Sequence, residues 1–300
     1  MNLELRQLRY FVTVAEEMHF GRAAQRLHMT QPPLSQTIQA LETAIGTPLF
    51  ARTSRSVTLT PAGAALLPQA RRLLQEAAAL PDLARRAAAG ESGRLALAFV
   101  STADYSVLPH FLQEFRAAYP GVHFELKEAT TDLQLDELSR GTIDVGLMIA
   151  PLPERMKAEL DYAPVLSEPL MLAAPQGLAA LDTYGPLPLH AVADMPLIVF
   201  PRRIAPSFHD AILGCYRHAG IVPLIGQEAI QMQTIVGLVS AGMGIALVPQ
   251  SVSNLKRPGV EYRALAGPAA IIETGLAWRR DNDSPVLRAF LQLLRKKSLC

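Results

Sequence analysis

The clearest pattern in the chain is a pair of short helices separated by a tight turn, within residues 20–41. Apolar residues recur in each helix at spacings of three and four, which is the spacing of one helix face. They are Ala23, Ala24 and Leu27 in the first helix and Leu34, Ile38 and Leu41 in the second. Thr30 is predicted to cap the second helix, because the prolines at 32 and 33 suit a first helical turn.

The outer face of the second helix carries short amides and a hydroxyl instead of apolar residues. They are Gln31, Ser35, Gln36 and Gln39. Such side chains both donate hydrogen bonds to base edges and accept them. An apolar inner face below an amide-rich outer face predicts a helix-turn-helix with its second helix in the major groove of DNA. The alternative is an ordinary protein core, in which amphipathic helix pairs are common.

Two flanking segments extend this pattern. Residues 3–18 form a predicted third helix whose apolar face is made of Leu5, Leu8, Phe11, Val12 and Ala15. Residues 48–60 are two short apolar runs around a polar turn, which predicts a β-hairpin wing. Arg52 and Arg55 would lie at its tip, where they could meet phosphates or enter the minor groove.

Charge is distributed unevenly along the chain. Residues 1–90 contain ten arginines, no lysine and six acidic residues (net +4), whereas residues 91–300 contain 18 basic and 21 acidic residues (net −3). A basic front part suits a polyanionic partner such as double-stranded DNA. Because the charge is modest, we expect weak and salt-sensitive non-specific binding, which a dimer would strengthen.

A long helix is predicted after the hairpin, from Thr60 and Pro61 to about residue 89. Leucines recur along it every seven residues, at Leu66, Leu73 and Leu80. A seam of that period favours a partner helix and hence a homodimer, while the alternative is a helix that packs on its own subunit. Pro68 and Pro81 interrupt the pattern, and because an interior proline kinks a helix we expect a bend near Pro81.

Glycines at 90 and 93 mark the predicted end of this helix and the start of a second domain. Apolar strand-like runs alternate with helical stretches over the about 207 residues that follow. Such alternation predicts an α/β domain with parallel sheets covered on both faces. Strands are predicted at residues 95–100, 122–126, 145–149, 169–174, 197–200, 245–248 and 271–278.

Hydroxyl side chains follow the first two of these strands. Ser101 and Thr102 come after the first, and Thr130 and Thr131 come after the second. Open α/β sheets bind ligands at the carboxyl ends of their strands, and helix starts with free N–H groups suit an anion such as a carboxylate. Each pair could equally be a plain helix cap, but two pairs at two strand ends favour a ligand site.

Several other functions lack their sequence signatures. No run of about 18 apolar residues is present to span a membrane. Residues 1–6 lack the apolar segment of a signal peptide, so we expect a cytoplasmic protein. The histidines do not have metal-ligand spacing and no phosphate-binding glycine loop occurs, so we predict no metal and no cofactor.

No catalytic constellation is predicted. Ser207, His209 and Asp210 are crowded together without a Gly-x-Ser-x-Gly motif, and we interpret them as a helix start with Ser207 as N-cap. Cys215 and Cys300 are too few for a disulfide framework. Cys215 is predicted to lie in the core, with redox sensing as the alternative. The sequence therefore predicts a protein that is not an enzyme.

Residues 1–62 resemble the winged helix-turn-helix of the LysR-type transcriptional regulators. The matching segments include Ala-Ala-Gln-Arg-Leu-His (23–28), Thr-Gln-Pro-Pro-Leu-Ser (30–35), Pro-Leu-Phe (48–50) and Leu-Thr-Pro-Ala-Gly (59–63). The resemblance implies that a set of recognition-helix and wing residues faces DNA. They are Gln31, Pro33, Ser35, Gln36 and Arg55. Many relatives have arginine at the position of Gln36.

The rest of the chain resembles the family's two-lobed effector domain, which is related to periplasmic solute-binding proteins. The likeness is to the branch that senses muconate and chlorinated aromatic breakdown products, and it rests on residues 200–208, 218–223 and 237–249. The resemblance implies an inducer cleft between the lobes. Its lining would include Thr102, Thr130 or Thr131, Pro206, Ser207 and Phe208, while Ser101 is added from its place after the first strand.

Two further positions bear on the inducer. Arg202 lies near the predicted cleft and could pair with a carboxylate bidentately or form a surface salt bridge. Some members of the branch have an arginine where this chain has Ile149, so one anion contact would be lost. The inducer is then expected to be smaller, singly charged or different in kind.

The predicted architecture has three parts. A winged helix-turn-helix spans residues 1–60, a linker and dimerisation helix spans 61–90, and an α/β two-lobed effector domain like a periplasmic binding protein spans 91–300. The first lobe would comprise about 91–163 and 268–300, and the second about 164–267. The chain would cross between them near 163–164 and 265–267.

The predicted function is that of a LysR-type regulator that binds promoter DNA and is switched by a small carboxylate in the cleft. The alternatives are a solute-binding protein and a redox-sensing regulator that acts through Cys215. The resemblance also implies a homotetramer built from two dimers. RNA polymerase is a further partner to consider, and no membrane is expected.

Overall fold

The structure is a computed structural model and describes residues 3–53, 56–181 and 184–295. The chain divides into two compact units, Met1–Arg85 and Arg86–Cys300. Arg55 and Cys300, both singled out above, lie outside the described residues.

The first unit begins with three helices around one apolar core. They are α1 (Leu5–Glu17), α2 (Phe20–Arg26) and α3 (Gln31–Ile45). The core contains the residues predicted for α2 and α3 except Leu27, which is half-buried. The predicted apolar face of α1 is buried except for Leu5, which is half exposed because it lies in the first turn.

A β-hairpin follows these helices, as the sequence predicts. Its strands are β1 (Phe50–Arg52) and β2 (Val57–Leu59), which pair antiparallel with Phe50 opposite Leu59. The Phe50 ring lies against Phe11 and Phe20, at centroid distances of 5.4 and 5.8 Å. These aromatic contacts fix the base of the hairpin on the helical core.

Helix α4 (Pro61–Ala88) is continuous through both interior prolines, Pro68 and Pro81. Its first half packs on its own subunit, since Ala70 is fully buried in the core of the first unit and Leu66 is half-buried there. Its second half has an exposed apolar face, formed by Leu73, Leu80 and Leu83. The first half thus packs on its own subunit, and pairing with a partner helix through the exposed face stays a prediction.

The second unit contains nine strands and six α-helices in its described part. The strands are β3 (Ser92–Phe99), β4 (Gly121–Glu128), β5 (Val145–Ile149), β6 (Leu160–Pro175), β7 (Leu197–Val199), β8 (Ile225–Glu228), β9 (Ala246–Pro249), β10 (Val260–Ala264) and β11 (Ile271–Arg279). The helices are α5 (Ser101–Asp104), α6 (Leu108–Ala118), α7 (Thr131–Arg140), α8 (Pro206–His218), α9 (Met232–Ser240) and α10 (Pro285–Arg295). Short 3₁₀ turns include Glu154–Met156 and Gln250–Leu255.

The sheets are mixed, and the prediction of purely parallel sheets is wrong. β3 pairs parallel with β4 and β5, and β7 pairs parallel with β8. β11 runs antiparallel to both β5 and β6, and β9 and β10 run antiparallel to β6. The antiparallel strands arise because the chain returns twice between the two halves of the unit. Strands β8 and β10 were not predicted, since all four residues of β8 are exposed and carry no apolar alternation.

Strand β6 joins two lobes, each with its own core. It pairs with β11 as far as Pro169, and with β9 and β10 from Leu170 and Met171 onward. We define the first lobe by β3, β4, β5 and β11 with helices α5, α6, α7 and α10, and the second by β7 to β10 with α8 and α9. The predicted first crossing near 163–164 lies too early, because those residues still pair with β11.

A buried carboxylate marks the point where β6 changes partner. Glu168 is 6% exposed and accepts hydrogen bonds from the Ser251 backbone N–H at 2.5 Å and from its Oγ at 2.9 Å. Burial nevertheless raises the pKa of Glu168. The Asn254 amide, on the same 3₁₀ turn as Ser251, donates to the carbonyl of Tyr105 in the first lobe at 2.8 Å. These bonds tie the two lobes together beside their connection.

Candidate nucleic-acid interface and ligand cleft

The outer face of α3 is open to solvent. Gln31, Pro33, Gln36 and Gln39 are exposed and Ser35 is half-buried, while Leu34, Ile38 and Leu41 below them are fully buried. Thr30 occupies the N-cap position as predicted, although its side chain makes no capping hydrogen bond. The structure therefore brings the five predicted reading residues onto one accessible helix face.

The wing is attached to the recognition helix by a single carboxylate. Glu42 Oε1 accepts the backbone N–H groups of Leu49 and Phe50 at 2.8 and 3.1 Å, and its Oε2 accepts Arg52 Nη2 at 3.1 Å. The Arg52 guanidinium also lies 4.5 Å from the centroid of the Phe20 ring, a cation–π contact. Arg52 is thus engaged within the unit by Glu42, although it is still exposed, and its contact with DNA stays a prediction.

The second unit has a cleft between its two lobes, and this cavity encloses about 430 Å³, including open space at its mouth. Four helices begin at its walls: α5 and α7 of the first lobe, and α8 and α9 of the second. First-turn N–H groups have no acceptor within their own helix, and helix N-termini carry partial positive charge. The predicted residues that line it are Ser101, Thr102, Thr130, Thr131 and Phe208.

Thr102 is the most informative residue in this cleft. It is 2% exposed, and its Oγ1 is buried without a hydrogen-bond partner among the described residues. A buried hydroxyl without a partner costs about 1–3 kcal/mol, so a polar ligand atom would relieve a real penalty there. Neither Thr102 nor Thr130 makes a side-chain capping bond to its neighbouring helix, so the plain capping alternative has no hydrogen bond to support it.

Gln134, which the sequence reasoning missed, fixes two walls of the cleft. Its side chain is fully buried, and its Nε2 donates to the carbonyls of Ala129 at 2.8 Å and Leu147 at 3.3 Å. These carbonyls belong to the end of β4 and to β5, so one amide holds both strand ends in register. The sequence does contain a sign of this buried amide, because Gln134 interrupts the otherwise apolar face of α7.

A second cavity of about 930 Å³ adjoins the first, and the two share Thr131, Ile149, Ala205 and Phe208 as walls. Its lining includes the other predicted residues at the start of α8, Pro206 and Ser207. Ser207 is not the N-cap of α8, because Ala205 occupies that position and the helix begins at Pro206.

Arg202 does not line either cavity. Its Nε and Nη2 bind Asp210 Oδ1 and Oδ2 at 2.8 and 2.9 Å, a bidentate surface ion pair. Hydrogen bonds from Arg202 lower the pKa of Asp210 to about 2. The surface-salt-bridge alternative therefore holds for Arg202, and Asp210 acts as its partner instead of belonging to a catalytic group.

Cys215 lies in α8 at 5% exposure within the core of the second lobe, as predicted. The described residues contain no group of three or more histidine, cysteine or acidic side chains that could hold a metal ion. None of the helices in this described part combines the length and apolar character that a membrane crossing requires.

Comparison with known proteins identifies both units. The model of the bacterial regulatory helix-turn-helix protein of the lysR family matches residues 5–64, and that of the LysR substrate binding domain matches residues 88–298. The chain therefore belongs to the LysR family of transcriptional regulators. It is a DNA-binding regulator with an N-terminal winged helix-turn-helix and a ligand-binding effector domain.

Individual relatives span nearly the whole chain. The HTH-type transcriptional regulator IlvR of Caulobacter vibrioides is 50% identical, with 97% of each chain covered. TfdS of Cupriavidus pinatubonensis is 38% identical, with 98% of each chain covered. The solved structure of full-length CbnR with its target DNA is 32% identical, covers 98% of this chain and 99% of its own, and has a TM-score of 0.82.

Proposed function

We propose that this regulator reads its operator through the outer face of α3 and is switched by a small carboxylate bound between the effector lobes. The observation that carries the carboxylate-binding part of this proposal is the buried hydroxyl of Thr102, which has no hydrogen-bond partner among the described residues and lies in a cleft where four helices begin. Such a site favours an anion with a hydrogen-bond acceptor. Ligand binding would change how the two winged helix-turn-helix domains of a dimer are positioned on DNA. The coupling free energy between ligand and DNA binding would be about 1–3 kcal/mol.

The DNA half of the proposal assigns base contacts to Gln31, Pro33, Ser35, Gln36 and Gln39. Their shared exposure on one face of α3 supports it. Arg55, in the wing, is proposed to contact the DNA backbone or minor groove. Two heads related by a two-fold axis would read half-sites separated by one helical turn of DNA or a multiple of it.

We further propose a homodimer through α4 and a homotetramer through the effector domains, with RNA polymerase as a partner at the promoter. The exposed leucines in the second half of α4 support the dimer. The proposed boundaries remain residues 1–60 for the head, 61–90 for the linker helix and 91–300 for the effector domain, with the first lobe crossing moved to about 169–170.

Ser35→Ala combined with Gln36→Ala is expected to weaken operator binding about tenfold or more, while binding to random DNA changes little. Hydrogen bonds to base edges are sequence-specific, whereas phosphate contacts are not. Fluorescence anisotropy with operator and scrambled duplexes at one salt concentration measures both. Thr43→Ala, which removes an exposed hydroxyl from the far end of α3, is the matched control. Equal losses on both duplexes would contradict base reading by this pair.

Thr102→Val is expected to reduce inducer affinity about tenfold, because it replaces the only buried, unpartnered cleft hydroxyl among the described residues by a methyl group. The unliganded protein should lose no stability, since that hydroxyl has no partner to lose. Operator affinity without inducer should stay the same. Thr102→Ser keeps the hydroxyl and should retain the response.

The ligand half is tested by a thermal-shift screen of the full-length protein against small carboxylates, followed by the same screen on Thr102→Val. A ligand that binds only the native state raises the melting temperature in a saturable way. We expect hits whose shifts shrink in the Thr102→Val variant. Hits that do not depend on Thr102, or no hit at all, would contradict a carboxylate site in this cleft.

A further inference from the structure

The ligand cleft contains one ionisable side chain among its described lining residues, and it is acidic. Glu128 is the last residue of β4 and lies at the cleft mouth, while the other lining residues are hydroxyl, amide or apolar. No lysine or arginine forms an ion pair with Glu128 in the described part of the chain, since the adjacent Lys127 binds Glu137. The cleft therefore pairs positive helix ends with one uncompensated carboxylate.

Negative charge acts on Glu128, while the arginines beside the cleft, Arg155 and Arg203, line the adjoining cavity instead. Burial raises the pKa of Glu128, and the negative charge of Asp104 raises that pKa further. The phenol of Tyr105 lies beside the side chains of Ser101 in the first lobe and Gln233 in the second. A ligand group that enters here meets acceptors, and a hydrogen-bond donor would be stabilised where a second carboxylate would be repelled.

The sequence separation of Glu128 and Thr130 limits the distance between Glu128 and the proposed carboxylate site at the start of α7. Glu128 precedes the N-cap residue Thr130 by two positions, and two extended residues span about 6.6 Å. A carboxylate seated at the start of α7 would therefore lie near Glu128. This spacing favours a donor on one of the two carbons next to the ligand's carboxylate.

We propose that the effector is a small monocarboxylate carrying a hydroxyl or amino group on its second or third carbon, and that Glu128 is the specificity-determining residue that accepts a hydrogen bond from that group. This inference rests on the proposed carboxylate site and adds the chemical class of its ligand. It disfavours dicarboxylates whose second charge would face Glu128, because no basic residue is among the described residues that line this cleft.

Matched ligands test this directly by titration calorimetry on the full-length protein. The aliphatic series is butanoate, 2-hydroxybutanoate, 3-hydroxybutanoate, 2-aminobutanoate and ethylmalonate. The aromatic series is phenylacetate, mandelate, phenylglycine and phenylmalonate. Within each series only the substituent changes, from hydrogen to hydroxyl, ammonium or a second carboxylate. We expect at least one donor-bearing acid to bind about tenfold or more tightly than its parent, and the dicarboxylate to bind least.

Glu128→Gln removes the charge at constant shape. We expect it to abolish the preference for an amino acid over its parent, to reduce the preference for a hydroxy acid, and to strengthen dicarboxylate binding about tenfold. Glu125→Gln is the matched control, because Glu125 lies on the same strand, outside the cleft lining, and pairs with Arg94. The control should leave every affinity unchanged.

The outcomes separate this inference from the function on which it rests. If parent acids or dicarboxylates bind as well as donor-bearing acids, and binding still depends on Thr102, the carboxylate cleft stands and the role of Glu128 is overturned. A donor preference that survives in Glu128→Gln overturns that role as well. If no acid in either series binds the wild-type protein, both proposals are overturned. A hydroxyl preference without an amino preference, or the reverse, supports the inference and selects the donor.

Discussion

Replacing Leu73 and Leu80 together by glutamate is expected to reduce operator affinity at least about a hundredfold. Both side chains lie on the exposed apolar face of α4, at 41% and 59% exposure. Two linked heads gain about 10²–10⁴ in avidity over one, and this gain is lost when the heads no longer pair. Glutamates at a heptad seam prevent pairing, because they would bury unpaired like charges against their symmetry mates.

The matched control is Gln75→Glu with Ala79→Glu, which adds the same two charges to the opposite, exposed face of α4. Mass photometry should show a smaller particle for the leucine variant alone, and anisotropy should show the loss of operator affinity. The thermal stability of both variants should match the wild type, because these leucines are largely outside the core of the first unit. An unchanged particle mass with unchanged operator affinity would rule out this face as the pairing surface.

Gly63→Ala is expected to destabilise the first unit by about 3 kcal/mol or more, near the upper end of what single substitutions do. A Cβ at this position would lie 2.2 Å from the Leu49 carbonyl oxygen and 2.9 Å from Leu59 Cδ2. The backbone there cannot move freely. The Thr60 N–H donates to the Leu49 carbonyl at 3.0 Å, and Thr60 Oγ1 donates to the Pro48 carbonyl at 2.8 Å.

Scanning calorimetry of the full-length protein measures this effect. We expect the transition of the first unit to fall by roughly 15 °C and that of the effector domain to stay in place. Gly46→Ala is the comparison, because its Cβ meets nothing within 4 Å but its φ of +82° is left-handed, so it should cost only about 1 kcal/mol. Equal and small effects of the two substitutions would show that the helix start can shift away from the wing.

Local patterns were sufficient for the helix-turn-helix. The buried positions of α2 and α3 repeat at helical spacing, so the inner face could be read directly from the order of residues. The hydroxyls at 101–102 and 130–131 could likewise be placed at strand ends, because each follows an apolar run that forms a buried or edge strand. The helix starts that are proposed to bind an anion are properties of a few consecutive residues.

Strand direction and lobe boundaries could not be obtained in this way. An apolar run predicts a strand but not its neighbour, and β11 pairs with strands more than 100 residues earlier in the chain. Pro164 also obscured the first half of β6, where a register shift at Gly275 accommodates it. A mixed sheet follows only from the path by which the chain returns to the first lobe.

For the same reason, the sequence alone could not show which charged side chains form ion pairs. Composition and spacing showed a basic head, hydroxyl-lined strand ends and a heptad seam, because each is a property of neighbouring residues. Whether an arginine is free depends on which acid the folded chain brings beside it. Glu42 engages Arg52, Asp210 engages Arg202, and Glu128 receives no basic partner among the described residues. Ion pairing acts over a few ångströms in space, so the fold, and not the order of residues, settles which charges remain available to DNA or to a ligand.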